Sequence, residues 1–321
     1  ARIDGAPASA TPTDRWLGWI SPIDAIVESP ALILTDGQRF IGVPADAGGE
    51  TLRWRAAGAG VVEATLEQID RVVLAPRLDP GPIEAIGDVV VLTNGDRIEG
   101  FVASIGERVL IETEGRQVDL PIQRIAVIDL ANPPEPRRGA YMWFADGSIA
   151  RLLIEDGRFL LAAAPGGWDS ASPLSTPPLI ESLDRARALV FDAARIVALS
   201  ELRIEGFEPI GRRWAPAPDR GPTATAPLWS APITLSGPMR VTWTLPEDAA
   251  RFGAVIELRE DSRVWGDCEV VVAQRRDETE VELTRVRLNA DQPRAEVAVD
   301  LDAGDLVITV EPGDSGPIQD R

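Results

Sequence analysis

Apolar and polar side chains alternate along much of this chain in short runs with a period of two, broken by glycines and acidic pairs. Val109, Ile111 and Thr113 alternate with Arg108, Leu110 and Glu112; Glu114-Gly115 interrupts, and Val118-Asp-Leu120-Pro-Ile122 resumes. A period of two is the signature of a strand, whose successive side chains point to opposite faces of a sheet. Helical periodicity is sparse. The segment from Glu181 to Leu202 is rich in Ala, Leu and Arg, but its place at the end of a repeat favours strand.

The alternation is organised in three copies. Leu-Thr-Asp36-Gly37-Gln-Arg-Phe-Ile-Gly42 is echoed by Leu-Thr-Asn94-Gly95-Asp-Arg-Ile-Glu-Gly100 and, more weakly, by Phe-Ala-Asp146-Gly147-Ser-Ile-Ala. Each Asx-Gly pair tolerates positive φ and is expected to close a tight two-residue hairpin. Each copy then finishes on an apolar run: Leu66 to Leu74, Val118 to Ile128, and Ala188-Leu-Val190-Phe191 leading to Ile196-Val-Ala-Leu199. About five short strands per copy predict a small Sm-like or SH3-like barrel, because closure hides strand edges that an open sheet would expose. Proline-rich spacers at Pro76-Arg-Leu-Asp-Pro-Gly-Pro and Ala131-Asn-Pro-Pro-Glu-Pro are expected to hold the copies in a semi-rigid row.

After the Gly- and Pro-rich stretch from Gly211 to Leu228, the rhythm changes. Six further alternating runs begin near Met239, Gly253, Cys268, Val281, Ala295 and Leu306. They predict an antiparallel β-sandwich. The expected class is therefore all-β: tandem small barrels followed by a jelly-roll-like sandwich. The expected divisions are an N-terminal arm over 1–28, barrels over 29–76, 87–131 and 139–200, and the sandwich over 201–321. The third barrel carries an insertion from about Ala164 to Pro178.

The stretch Leu199-Ser-Glu-Leu202-Arg-Ile-Glu-Gly-Phe-Glu-Pro209 is followed by Arg240-Val-Thr-Trp243-Thr-Leu-Pro246, by Ala250-Arg-Phe252-Gly-Ala-Val255 and by Glu260-Asp261. With the closing run from Gly304 to Arg321, it resembles the NPCBM domain, a carbohydrate-binding β-sandwich of secreted bacterial proteins. The upstream hairpins resemble the Sm-like segments that often precede it. The resemblance implies a secreted protein and polysaccharide as a ligand.

Composition narrows the chemistry. The chain has no histidine and no lysine, so its 32 basic residues are all arginines. That removes imidazole-activated nucleophiles, His-based zinc sites, Schiff bases and the phosphate-loop lysine. Gly313-Asp314-Ser315-Gly316-Pro317 resembles a serine-protease nucleophile run, yet nothing in the chain supplies the histidine such a serine needs. A net charge of −19 repels phosphate backbones and anionic lipid surfaces, so nucleic acid is not an expected partner, and no apolar stretch approaches the roughly 20 residues of a membrane helix, so membrane insertion is not expected. The lone Cys268, inside an alternating run, reads as a buried small apolar residue. The start at Ala1 reads as the result of leader removal, with a periplasmic, cell-surface or extracellular destination.

The candidate ligand-binding residues are Trp168, Trp229 and Trp265, which fall in or beside expected loops, with the carboxylates Glu260 and Asp261. An indole face stacks on the apolar face of a pyranose, and carboxylates accept from its hydroxyls. Glu260, Asp261, Asp314 and Asp320 are also the acids that a calcium site would draw on, although their spacing matches no calcium loop. No catalytic residue, metal ligand or cofactor is expected. The leading expectation is a non-enzymatic subunit of an extracellular or envelope assembly, with other protein subunits as partners. The alternative is recognition of envelope or extracellular polysaccharide.

Overall fold

The computed structural model describes residues 17–19, 29–48, 51–56, 60–80, 83, 85–155, 158–161, 186–221 and 227–313. Most of the arm, the insertion with Trp168, and Asp314 and Asp320 lie outside the described residues. The fold is all-β, and the helical segments described are three-residue 3-10 turns. The chain forms two compact units, Ala1–Val197 with Pro222–Ala231, and Ala198–Gly221 with Pro232–Arg321.

In the first unit, β1 is Leu17–Trp19. The first copy supplies β2 (Ala31–Leu34), β3 (Arg39–Gly48), β4 (Thr51–Ala56), β5 (Gly60–Thr65) and β6 (Ile69–Val73). The second supplies β7 (Asp88–Leu92), β8 (Arg97–Ile105), β9 (Arg108–Thr113), β10 (Arg116–Pro121) and β11 (Ile125–Asp129). The third supplies β12 (Ala140–Phe144), β13 (Ile149–Glu155), β14 (Arg158–Leu161) and β15 (Ala186–Val190). The alternation does what it promised: on β4, Leu52, Trp54 and Ala56 are buried while Arg53 and Arg55 face out. These apolar residues join one core that runs through all three copies.

The repeated turn has the same hydrogen bonds each time. Leu34, Leu92 and Phe144 donate their N–H to the carbonyls of Gln38, Asp96 and Ser148, and Gly37, Gly95 and Gly147 donate back to the carbonyls of Leu34, Leu92 and Phe144. Only the glycine takes positive φ, at 83°, 90° and 96°. The loop is thus three residues long rather than two, a turn closed by a left-handed glycine. The Asx residue serves differently from expectation. Its side-chain oxygen accepts from the N–H two residues on, at 3.1, 3.1 and 2.8 Å for Asp36, Asn94 and Asp146. A true two-residue turn occurs at Glu114-Gly115, where both residues have positive φ.

The second glycine of the motif has another reason. β3 pairs with β2 through Ile41 and with β4 from Gly42, and β8 pairs with β7 through Gly100 and with β9 from Phe101. At this bend a Cβ on Gly42 would lie 2.0 Å from the Arg55 carbonyl oxygen, and one on Gly100 2.3 Å from that of Glu112. Only glycine permits the strands to cross so closely.

The copies share edges instead of standing apart on their spacers. β6 of the first pairs with β11 of the second, with Val73 opposite Val127 and Val72 opposite Ile128, and β13 of the third meets β3 at Ile149 and Arg39. An unpaired edge leaves N–H and C=O groups without partners, and edge-to-edge pairing satisfies them. The proline spacers lie along the barrels: Ala75 donates to the Ala126 carbonyl, and the Asn132 amide donates to the carbonyls of Leu66 and Ile69. Ile196-Val-Ala, expected as strand, falls between two 3-10 turns at Ala193–Arg195 and Leu199–Glu201.

In the second unit all six expected strands form, and three further strands precede them. These are β16 (Ile204–Pro209), β17 (Asp219–Arg220) and β18 (Ile233–Thr234). β19 is Met239–Trp243, β20 Arg251–Glu257, β21 Cys268–Arg276, β22 Thr279–Leu288, β23 Arg294–Asp300 and β24 Asp305–Pro312. A five-stranded antiparallel sheet, β16-β19-β24-β21-β22, packs its inner face against the β20-β23 pair. Trp243, Val272, Cys268 and Ile308 from the large sheet meet Phe252 and Val297 in that core. Cys268 is buried, as its alternating context implied.

Candidate functional site

The β20 to β21 connection, residues 258–267, gathers three of the candidate residues: Glu260, Asp261 and Trp265. Backbone bonds tie it down at both ends. Leu258 donates to the Pro293 carbonyl at 2.8 Å, and Gly313 donates to the Asp267 carbonyl at 2.8 Å. Within it, Gly266 donates to Ser262 at 2.7 Å, and a Cβ on Gly266 would meet Leu258 and the Ser262 carbonyl at 2.9 Å. Asp267 is held by a two-pronged bond from Arg287, both arms 3.1 Å long.

From this braced loop Val264 and Trp265 project outward, 68% and 67% exposed. Glu260 and Asp261 are exposed on the same loop. The Asp261 carboxylate accepts from the Ser262 hydroxyl at 3.1 Å and from Arg259 at 3.3 Å. The Ser262 bond leads in holding its pKa below the ordinary value. The loop therefore offers an aromatic side chain together with carboxylate acceptors, a combination suited to a hydroxyl-rich ring.

A concave feature lies at the other end of β21. Glu205, Gly206 and Glu208 of β16, Arg240 and Thr242 of β19, and Arg275 of β21 line a polar cleft of about 370 Å³. Arg275 bridges Asp305 at 2.8 Å and also pairs with Glu205, while Arg240 pairs with Glu280. Eight residue steps of strand, roughly 25 Å, separate the two ends of β21. Adjacency in sequence does not join these residues, although the alternation Met239-Arg-Val-Thr-Trp243 places Arg240 and Thr242 on the outer face. Trp214, which is not one of the candidate residues, is among the exposed large apolar residues.

Trp229 does not join the loop. It belongs to the first unit and is only 9% exposed. Its indole N–H donates to the Gly37 carbonyl at 2.6 Å, its ring meets Tyr141 edge-on at 5.3 Å between centroids, and the Arg137 guanidinium lies 4.5 Å from its centroid. With ring and N–H engaged, it has no face to offer a sugar. The loop signal from Pro and Ser neighbours described the backbone correctly but carried no information about burial. Trp168 lies outside the described residues.

Among the described residues, a strongly perturbed carboxyl lies elsewhere. Asp129, at the β6-β11 seam, faces Arg71 at 3.5 Å, and Arg71 also bridges the fully buried Asp79 at 2.8 Å. Burial pushes the Asp129 pKa up to about 6, against the attraction of Arg71 and with repulsion from Asp70, Asp79 and Asp88. Among the described residues no group of three or more His, Cys, Asp or Glu is arranged to hold a metal ion. No helix of the described residues is long and apolar enough to cross a membrane.

The fold defines the class: an all-β protein of several antiparallel sheets in two compact units, the second of which bears the exposed loop. No family model and no curated protein matches the chain, so the NPCBM resemblance rests on the residues quoted for it. Solved structures similar to it include the CBM51-2 and INT domains of Clostridium perfringens ZmpB, at 11% identity and a TM-score of 0.29 over 37% of this chain. Another is CBM51-2 in complex with GlcNAc, with the INT domains, at 12% identity and a TM-score of 0.28 over 38% of this chain. Each superposition spans 28% of the other chain, and scores this low do not establish a shared fold.

Proposed function

We propose that this is a non-catalytic recognition protein of the cell exterior whose sandwich unit binds polysaccharide at the 258–267 loop. The observation that carries the reading is Trp265, held two-thirds exposed on a loop braced by Leu258, Gly266 and Asp267. A large indole left in water on a rigid support has its conformational entropy already spent, which favours stacking on a sugar ring. Glu260 and Asp261 supply acceptors for the hydroxyls around that ring.

Titration of soluble polysaccharides against the intact chain, followed by tryptophan fluorescence, tests it. Binding should be lost in Trp265→Ala while the unfolding midpoint stays unchanged. Saturable binding that survives Trp265→Ala rejects this loop as the site. A second reading, a subunit that works through protein contacts, draws on the exposed Ile86 and Phe101 of the barrel unit. It predicts a native mass above the 34.5 kDa of one copy, independent of sugar.

A further inference from the structure

The first and third copies grip each other through equivalent parts. Arg39 and Ile149 each stand two residues beyond their turn glycine, and they are the positions at which β3 and β13 meet antiparallel. Arg39, 3% exposed, donates from Nε at 2.8 Å and from Nη2 at 2.6 Å to the Gly147 carbonyl of the facing turn. The Ile41 N–H, directed away from β2, donates to Ser148 Oγ at 3.0 Å. Like therefore meets like, and the junction approximates a twofold arrangement.

The second copy has the same parts and no described neighbour for them. Its turn is Asn94-Gly95 and its strand is β8. Because Leu92 donates to the Asp96 carbonyl, alternation directs Asp96, Ile98 and Gly100 towards β7, and it directs the N–H and C=O of Arg97 and Glu99 to the opposite side. Among the described residues no strand lies on that side, since β8 pairs only with β7 and β9 and β9 takes over at Phe101. Arg97 and Glu99 are exposed, Phe101 is 64% exposed, and the Arg97 guanidinium has no hydrogen bond or ion pair among the described residues.

We propose that this edge is a homodimer interface, with β8 of one copy paired antiparallel to β8 of a second about a twofold axis at Arg97. The internal junction is the template: Arg97 takes the role of Arg39 and donates to the Gly95 carbonyl of the second copy. Charge supports a second copy as the occupant. In this register the two Arg97 side chains stand opposite each other across the axis, and each also lies diagonal to Glu99 of the other chain, so two pairs of opposite sign and two carbonyl clamps offset one like-charge pair. A self-complementary patch of this kind closes at two copies, so no free edge is left to propagate. The proposal gives the protein-contact reading above a specific partner and is independent of polysaccharide binding.

The test is the mass of the full chain by light scattering or sedimentation, across a concentration series. Wild type should approach twice 34.5 kDa. Arg97→Glu, which sets like charges on the diagonal and removes the carbonyl clamp, should weaken association by roughly tenfold or more. The double variant Arg97→Glu with Glu99→Arg should restore part of it. At concentrations too low for association all three should unfold at the same temperature, because neither side chain packs within its own copy, and only the wild type and the double variant should gain in melting temperature as concentration rises. A wild type that stays monomeric at every concentration overturns the proposal. So does a larger assembly indifferent to Arg97→Glu, although that result leaves the broader protein-contact reading standing.

Discussion

Trp229 donates its indole N–H to the carbonyl of Gly37 across 192 positions of sequence. The bond brings the segment 227–231 back onto the first repeat's turn, where Tyr141 also donates, to the Asp36 carbonyl, at 2.8 Å. Burial and the Asp36 carboxylate together raise the Tyr141 pKa far above the ordinary phenol, so its hydroxyl keeps that proton. Two buried donors thus close one turn whose carbonyls would otherwise be stranded from water.

Replacing Trp229 should therefore cost the barrel unit stability and leave ligand binding alone. Trp229→Phe loses the bond to Gly37 for about 1–2 kcal/mol, and Trp229→Ala adds a cavity for a total of about 3–5 kcal/mol. Denaturant unfolding of both variants checks the order. A polysaccharide titration should be unaffected under conditions where each variant remains folded.

The equivalent turn glycines should respond unequally. Gly95→Ala meets open space and bears only the positive-φ penalty, about 1 kcal/mol. Gly37→Ala bears the same penalty, and its Cβ would also lie 2.7 Å from Arg137 and 3.0 Å from the Trp229 nitrogen. It should lose at least about 1 kcal/mol more. Equal losses in a thermal melt would mean that the first turn is not enclosed.

The bend glycines make a sharper test. Gly42→Ala and Gly100→Ala force a methyl group onto a backbone carbonyl that cannot move aside without parting two strands. Each should cost more than Gly95→Ala, by about 2 kcal/mol or beyond. Equilibrium unfolding of the three variants side by side measures the difference.

Asp129 gives a pH signature. With the folded pKa near 6 and the unfolded value at 3.8, the native protein binds a proton that the unfolded chain lacks between those limits. The group's contribution to stability therefore falls as pH rises from about 4 to 6 and is level above that. Asp129→Asn should remove a component of about 1–2 kcal/mol from that slope. Wild-type and variant unfolding curves at pH 4.5 and pH 7 should differ in this sense. A constant gap between them would show that Asp129 titrates normally.

Much of the strand inventory was legible because period-two alternation is local and survives burial: β19 to β24 and the β7-β11 run fall where Val, Ile, Leu and Arg alternate. The repeated Asx-Gly turn was legible for the same reason, although its loop length was not, since a left-handed glycine suffices without a second positive-φ residue. At the candidate loop, adjacency in sequence already joined Glu260 and Asp261 to Trp265. The Glu205–Arg275 cleft was not visible, because its residues come from three strands whose sheet order, β16-β19-β24-β21, differs from chain order.

Read alone, the residues determined an all-β chain of repeated hairpins and then a sandwich, without imidazole or ammonium chemistry, because composition and alternation need no partner to be read. Only the tertiary structure decided that copies one and three clasp turn to turn, that Trp229 belongs to that clasp and Trp265 to solvent, and that β8 pairs with β7 and β9 alone among the described residues. Those outcomes depend on which backbone edges meet. Edge pairing is a property of groups every residue carries alike, so the side chains along a strand do not announce it.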